Sequence, residues 1–296
     1  MFLINSDRLK EEIKKVKKEY SNLSIIYIKK DILIDIILPK IKQILEDEKR
    51  INHFEICGGT CLSKFYDLTN RLSEDIDITI YSDSKTRNKL IIKSLENKFE
   101  NELSKYIEHG TQWCQGKKFS SFKLLIENEV FSLDFMTEVG SRENNKKTLL
   151  PMSNLYQKIY REEVKEFKFP CSKLDKILID KICAFENKSN SNDPVRIARH
   201  IYDVYKILNY MQEKKVLHFD SIIEKYKSKS KLEKGKITDN IFHTKMFNLD
   251  DMHKLSLESL IKQEVYTYKN DSTSTSDIIL KYFKKIKTKY NKINTI

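Results

Sequence analysis

The sequence predicts an α/β (α+β) fold, a small mixed sheet followed by a mainly helical C-terminal half. Three observations carry this. Residues 74–81 (EDIDITIY) alternate with the period of a strand. Residues 119–126 and 130–137 are apolar runs of strand length, joined by a hairpin-sized connection at Glu127, Asn128 and Glu129. Beyond about residue 150 the apolar residues recur at helical spacing instead. The chain divides on this pattern into 1–170 and 171–296.

In order, Ser6 caps a charged helix over 6–20. Residues 24–49 are apolar at helical spacing and read as two helices meeting near Pro39, since proline breaks a helix interior. Residues 51–57 (INHFEIC) form a short strand that Gly58-Gly59 ends, and Thr60 to Leu68 is helical. A long amphipathic helix spans 84–108. In the second half, Ser172 and Asp175 open a helix as a capping box, and Asp193-Pro194 opens another with Pro at the first helical position. Residues 270–277 (NDSTSTSD) read as a polar linker before a last helix, Ile278 to Ile293, with six lysines and no acid.

With 296 residues, 40% apolar and 10% aromatic, the chain is long enough for a real core and too apolar to be disordered. No apolar run approaches the ~20 residues of a membrane span. The longest candidate is interrupted by Asp31, Asp35 and Lys40, and the N-terminus turns charged by Ser6 to Lys10, unlike a signal peptide. The five cysteines (Cys57, Cys61, Cys114, Cys171, Cys183) form no CxxC pair. They read as reduced thiols of a cytoplasmic protein. Cys57 and Cys61 read as packed small residues, and His109 and Cys114 are too isolated for a metal site. Residues 171–296 carry 25 basic and 16 acidic side chains, against 30 and 27 in 1–170. A basic half suits an anionic partner such as nucleic acid. A bias toward lysine, 47 of the 55 basic residues, explains the count equally well.

The segment from Gly58 to Ile80, GGTCLSKFYDLTNRLSEDIDITI, carries the chemistry. A strand ends in Gly-Gly and a helix starts at once, so the backbone can approach a ligand closely and free N–H groups face an anion. That suits phosphate and singles out Gly58, Gly59 and Thr60. Period-two geometry then puts Asp75 and Asp77 on one face of the next strand and Ile76, Ile78 and Ile80 on the other. Adjacent carboxylates repel unless a cation lies between them, and Mg²⁺ suits such oxygen ligands.

These residues resemble the DNA polymerase β-like nucleotidyltransferase superfamily. GGTCLSK followed by RLSEDIDI is most similar to the AbiEii/AbiGii toxin family, and IKKDILIDIILPKI resembles the helix that precedes its Gly-Gly turn. The resemblance covers roughly residues 24–210. It implies a polymerase β-like core in which the turn holds an NTP triphosphate and the two aspartates bind two Mg²⁺ ions. It also implies a third carboxylate on a neighbouring strand. Asp134 in FSLDF fits, opposite the face shared by Phe131, Leu133 and Phe135. DKICAFENK resembles the second motif, where a lysine binds the triphosphate; Lys181 falls within the stripe Leu174, Ile177, Leu178 and Phe185. It either meets a phosphate or snorkels at a domain edge. RIARHIYDVYKIL resembles the third, Arg-Asp-x-x-Asp-like motif, with His200 where the first Asp would stand and Asp203 kept. Arg199 is then a phosphate contact, and Asp203 orients Lys181 or touches the nucleotide. An exposed Arg199–Asp203 ion pair is the plain alternative. Ser73 reads as a further triphosphate contact, where phosphorylation would block nucleotide entry. Arg71 is a phosphate contact or a surface residue.

The expected activity is transfer of a nucleoside monophosphate from an NTP to an acceptor, releasing pyrophosphate. The basic half favours RNA. The resemblance points to the 3′ end of tRNA, to a bacterial type IV toxin–antitoxin toxin and to an antitoxin partner. Two other readings are a nucleotidyltransferase that modifies a protein and a non-catalytic NTP or RNA binder. The last helix, with Tyr282, Phe283 and Tyr290 among its lysines, is an RNA-binding face or a docked amphipathic helix.

Overall fold

The computed structural model describes residues 6–47, 54–82, 84–103, 112–115, 119–126, 129–139, 148–151, 168–188, 194–232, 241, 244–266 and 275–293. The Glu127-Asn128 connection, His109, the Asp193 cap and residues 270–274 of the expected linker lie outside them, as does the side chain of Cys114. The chain forms two compact units, one of residues 1–67 and 72–172, the other of 68–71 and 173–296.

The first unit is a mixed α/β structure. It opens with α1 (Ser6–Glu19) and α2 (Ile25–Asp47), which pack on each other. Pro39 lies inside α2 and the helix runs through it as one element, correcting the expected pair of helices. Proline removes one N–H, but Leu33, Ile34, Ile37 and Leu38 before it and Ile41, Ile44 and Leu45 after it are all buried. Burial on both sides of the break outweighs the lost hydrogen bond, and Pro39 itself faces solvent.

Strand β1 (Phe54–Cys57) leads into a single α-helical turn, α3 (Gly58–Thr60), and a π turn (Cys61–Phe65). Helical geometry ends there rather than at Leu68, and Asp67 takes a left-handed φ of 50°. The remaining strands are β2 (Ile76–Ser82), β3 (Gln112–Gln115), β4 (Phe119–Ile126), β5 (Glu129–Val139), β6 (Thr148–Pro151) and β7 (Lys168–Cys171), with α4 (Lys85–Leu103) after β2. The sheet order is β3-β4-β5-β2-β1-β7-β6. β2 runs parallel to β5 and antiparallel to β1, and β1 runs parallel to β7.

The register sorts the two faces. Ile78 pairs with Ile56 and with Phe135, and Ile80 with Phe54, so these residues share a face with Leu133. All six are buried, and Phe99 of α4 packs its ring 5.7 Å from Phe135 and 6.3 Å from Phe122. The other face carries Cys57, Asp77, Asp134 and Ser121 in register. It also carries Glu55, which accepts from the hydroxyls of Tyr81 and Ser172. This use of Ser172 corrects the expected capping box: the Lys173 carbonyl takes the first helical bond from Ile177, while the Asp175 carboxylate accepts from the Lys176 N–H.

The second unit contains α5 (Leu174–Lys188), α6 (Pro194–Glu213), α7 (Phe219–Leu232), a 3₁₀ turn (Lys245–Phe247), α8 (Asp251–Glu264) and α9 (Ser276–Ile293). α6 packs on α5 and α8, and α9 on α8. Pro194 does begin its helix. The helix ends in a Schellman motif, with Lys215 at φ 57° and Val216 N–H donating to the Met211 carbonyl. α8 has a capping box made by Asp250 and His253. α9 begins at Ser276, within the expected linker, and buries Ile279, Phe283 and Ile286 while Lys281, Lys284, Lys285 and Lys289 face solvent. It is thus a docked amphipathic helix with a basic outer face. No helix among the described residues is long and apolar enough to cross a membrane.

Candidate active site

The candidate residues fall into two groups, one in each unit. In the first unit, β2 is held on both sides, so Asp77 lies beside Cys57 of β1 and Asp134 of β5. The Ser121 hydroxyl donates to Asp134 Oδ1 at 2.6 Å and fixes that carboxylate. Gly58 follows β1 with φ +67°, a left-handed conformation that disfavours side chains. A Cβ there would lie 1.8 Å from Asp77 Oδ2, so glycine is required by space as well as by torsion. The Gly-Gly turn and the Asp77 carboxylate are therefore in direct apposition.

Asp75 lies one residue before β2. Its carbonyl accepts from the Thr60 hydroxyl, which is also bonded to the Ser73 hydroxyl. Thr60 is fully buried and Ser73 is 2% exposed. Ser73, expected as a triphosphate contact and a phosphorylation site, is thus buried with its hydroxyl bonded to Thr60. Among the described residues no three His, Cys, Asp or Glu side chains form a ready-made metal cage.

Sequence reasoning missed a buried charge cluster beside this group. Asp31 and Asp35, one turn apart on α2, both meet Lys64 of the π turn. Lys64 Nζ bonds Asp31 Oδ2 and also donates to the Asp31 carbonyl at 3.2 Å. Asp31 Oδ1 accepts from the Ser73 N–H at 2.8 Å. Burial lowers the Lys64 pKa, but the two aspartates outweigh it and hold the ammonium charged. Asp35 lies 2.9 Å from Lys64 without hydrogen-bond geometry, and neither of its oxygens has a hydrogen-bond partner. The signal was present in the sequence: two acids at i and i+4 in an apolar helix need a cation.

Burial pushes the Asp35 carboxyl up to about 7, with Lys64 pulling it down and Asp31 adding to the rise. The folded chain thus keeps this proton to about pH 7, while an unfolded aspartate releases it near pH ~4. Between those values the folded state binds more protons, so stability falls as pH rises. Urea unfolding from pH 4.5 to 8 is expected to show that decline, and Asp35→Asn to flatten it. An equally steep decline in the variant would assign the pH dependence to another group.

In the second unit, Asp203 is fully buried between two cations. Arg71 binds it bidentately at 2.9 and 3.0 Å, and Lys181 Nζ lies 2.8 Å away. Burial pushes the Asp203 carboxyl up, but the Arg71 and Lys181 charges and bonds outweigh it and hold it well below the usual carboxylate range. Arg71 is thus not a surface residue; it is an internal ion-pair residue, tied in further by its bridge to Val265. Lys181 is nine-tenths buried and paired, so it does not snorkel at an edge. Arg199 does not pair with Asp203. Its guanidinium holds Glu264 bidentately at 2.8 and 2.6 Å. Cys57, Cys61, Cys171 and Cys183 are buried free thiols, and burial first of all pushes Cys61 well up.

A family model described as "Nucleotidyl transferase AbiEii toxin, Type IV TA system" matches residues 42–276. No curated protein matches. Two solved structures of DncV from Vibrio cholerae are similar over 95% of this chain and 74% of theirs. The apo form is 12% identical with a TM-score of 0.25. The cyclic AMP-GMP synthase in complex with nonhydrolyzable GTP is 11% identical with a TM-score of 0.24. The family match spans well over half the chain, includes both groups of candidate residues, and continues beyond residue 210, where the motif resemblance ended. The chain belongs to the AbiEii family of nucleotidyltransferases, toxins of type IV toxin–antitoxin systems.

Proposed function

We propose that this nucleotidyltransferase moves a nucleoside monophosphate from an NTP to RNA, at the 3′ end of tRNA, using Mg²⁺ held by Asp75, Asp77 and Asp134. The observation that carries the reading is the register of β1, β2 and β5, which sets Asp77 beside Asp134 with the Gly58 turn against its carboxylate. The donor set fits the ion. Carboxylate oxygens suit hard Mg²⁺, which is commonly held by one or two carboxylates together with substrate phosphates and water rather than by an all-protein cage. Asp75, Asp77 and Asp134 would each supply part of the coordination, and substrate phosphates and water the rest. When bound, Mg²⁺ stabilises charge on the attacking and leaving oxygens of in-line displacement.

The acceptor hydroxyl gives its proton to Asp134 or to water, its oxygen forms a bond to the α-phosphorus, the bond from that phosphorus to the α,β-bridging oxygen breaks, and pyrophosphate leaves. Asp134, oriented by Ser121, sits where it can hold the acceptor side of the site. Gly58 and Gly59 offer backbone at close range to the phosphates. Lys181, held against Asp203, supplies positive charge for the triphosphate on the family's pattern. The lysine face of α9 and the basic balance of residues 171–296 support an RNA acceptor. Capping a tRNA 3′ end would block aminoacylation and stop growth, which accords with toxin action and with neutralisation by an antitoxin.

The test is labelling with each of the four α-³²P NTPs, Mg²⁺, total RNA and total protein. Label in RNA of tRNA size is expected, with one NTP preferred. Label confined to protein would replace the RNA acceptor with a protein one. Binding of NTP without any transfer would overturn the catalytic reading.

A further inference from the structure

The two aspartates proposed to bind metal are held in different ways. Asp77 lies within the ladder, bonded into strands on both sides. Asp75 lies at the end of an irregular stretch that begins after the π turn.

Buried bonds tie Asp75 in. The Asp75 carbonyl can only accept, so the Thr60 hydroxyl donates its one proton there. The Ser73 hydroxyl must then donate to Thr60. Both protons are committed, and neither is left for a phosphate oxygen. Ser73 is anchored in turn through its N–H on Asp31, and Asp31 is fixed by Lys64. The path from Lys64 through Asp31, Ser73 and Thr60 to Asp75 runs through residues no more than 5% exposed up to the Asp75 backbone.

We propose that Asp31 and Lys64 are positioning residues of the nucleotidyl-transfer site, acting through Ser73 and Thr60 to set the place of Asp75. Thr60 and Ser73 thereby hold backbone rather than phosphate. The proposal rests on the reading of Asp75 as a metal ligand. It also accounts for a buried ion pair that contributes little net stability of its own. The cluster links α2 to the turn after β1 and to the stretch before β2, so it fixes the geometry between three segments that the ladder does not join.

The test compares the wild-type chain with Asp31→Asn and with the milder Ser73→Ala, which keeps the N–H bond to Asp31. Three quantities are read: amide hydrogen exchange of residues 72–76 without metal, Mn²⁺ affinity by titration, and kcat with KM for the preferred NTP. Ser73→Ala is expected to speed exchange in 72–76, weaken Mn²⁺ binding and lower kcat, each about tenfold, as for loss of one buried hydrogen bond. KM for the NTP and the exchange of β4 and β5 should stay within about twofold, since nothing on the path touches phosphate or those strands. Asp31→Asn should act in the same direction and more strongly. Wild-type Mn²⁺ affinity and wild-type exchange in Ser73→Ala would overturn the proposal. So would a raised KM with unchanged kcat, which would return Ser73 and Thr60 to phosphate binding. A wild-type chain that binds no Mn²⁺ would instead overturn the reading of Asp75 as a ligand, and this inference with it.

Discussion

Asp77→Asn is expected to remove nucleotidyl transfer, by about 10³-fold or more, as follows from losing several kcal/mol of metal-derived stabilisation. The change is nearly isosteric, so the space against Gly58 stays filled and the β1–β2–β5 register is kept. What is lost is one negative charge beside Asp134. Two adjacent carboxylates repel when no cation lies between them, so without metal the folded variant should be as stable as the wild type, or slightly more so. The discriminating pair of measurements is therefore transfer rate and unfolding midpoint. A lost rate with an unchanged or raised midpoint assigns Asp77 to chemistry. A lost rate with a collapsed midpoint would make it a structural residue.

The Asp203 triad gives the opposite pairing of effects. Replacing Asp203 by Asn leaves Arg71 and Lys181 buried with their common counter-charge removed. Breaking such a pair costs about 3–5 kcal/mol, a large share of the ~5–15 kcal/mol that holds a domain folded. The variant should unfold at markedly lower urea or fail to fold. Lys181→Met leaves the bidentate Arg71–Asp203 pair in place and should stay folded. If Lys181 meets triphosphate charge, it should still lose transfer, about a hundredfold, the scale set by removing one preorganised charge-stabilising donor. Equal loss of stability in both variants would make Lys181 a structural cation. Acid titration checks the same assignment. The Asp203 carboxyl is held below its unfolded value, so its contribution is full above about pH 4 and is lost as pH falls further.

Much of the first unit was legible because its signals are local. Strict alternation over 74–81 yields a strand with Ile76, Ile78 and Ile80 fully buried. The Gly-Gly break yields a turn, and its need for glycine reappears as the Gly58–Asp77 apposition. Pro39 was misread because a local rule met a tertiary one: a helix buried before and after the proline tolerates one missing bond. Ser172 was misread for a related reason. A hydroxyl that suits a cap was recruited by Glu55, which the local pattern cannot reveal. The partners of Arg71, Arg199 and Lys64 lie 132, 65 and 33 residues away along the chain. A single sequence shows that a buried charge needs a partner, but not which distant acid provides it. The His253 capping box escaped notice because histidine stands where Glu or Gln is usual.

The most direct measurement is release of pyrophosphate from γ-³²P-labelled NTP in the presence of tRNA, with Mg²⁺ or with a chelator, for the wild type and Asp77→Asn. Metal-dependent pyrophosphate release by the wild type, absent from the variant, is the predicted result. Release that survives either the chelator or the substitution would contradict a reaction carried by metal at Asp77.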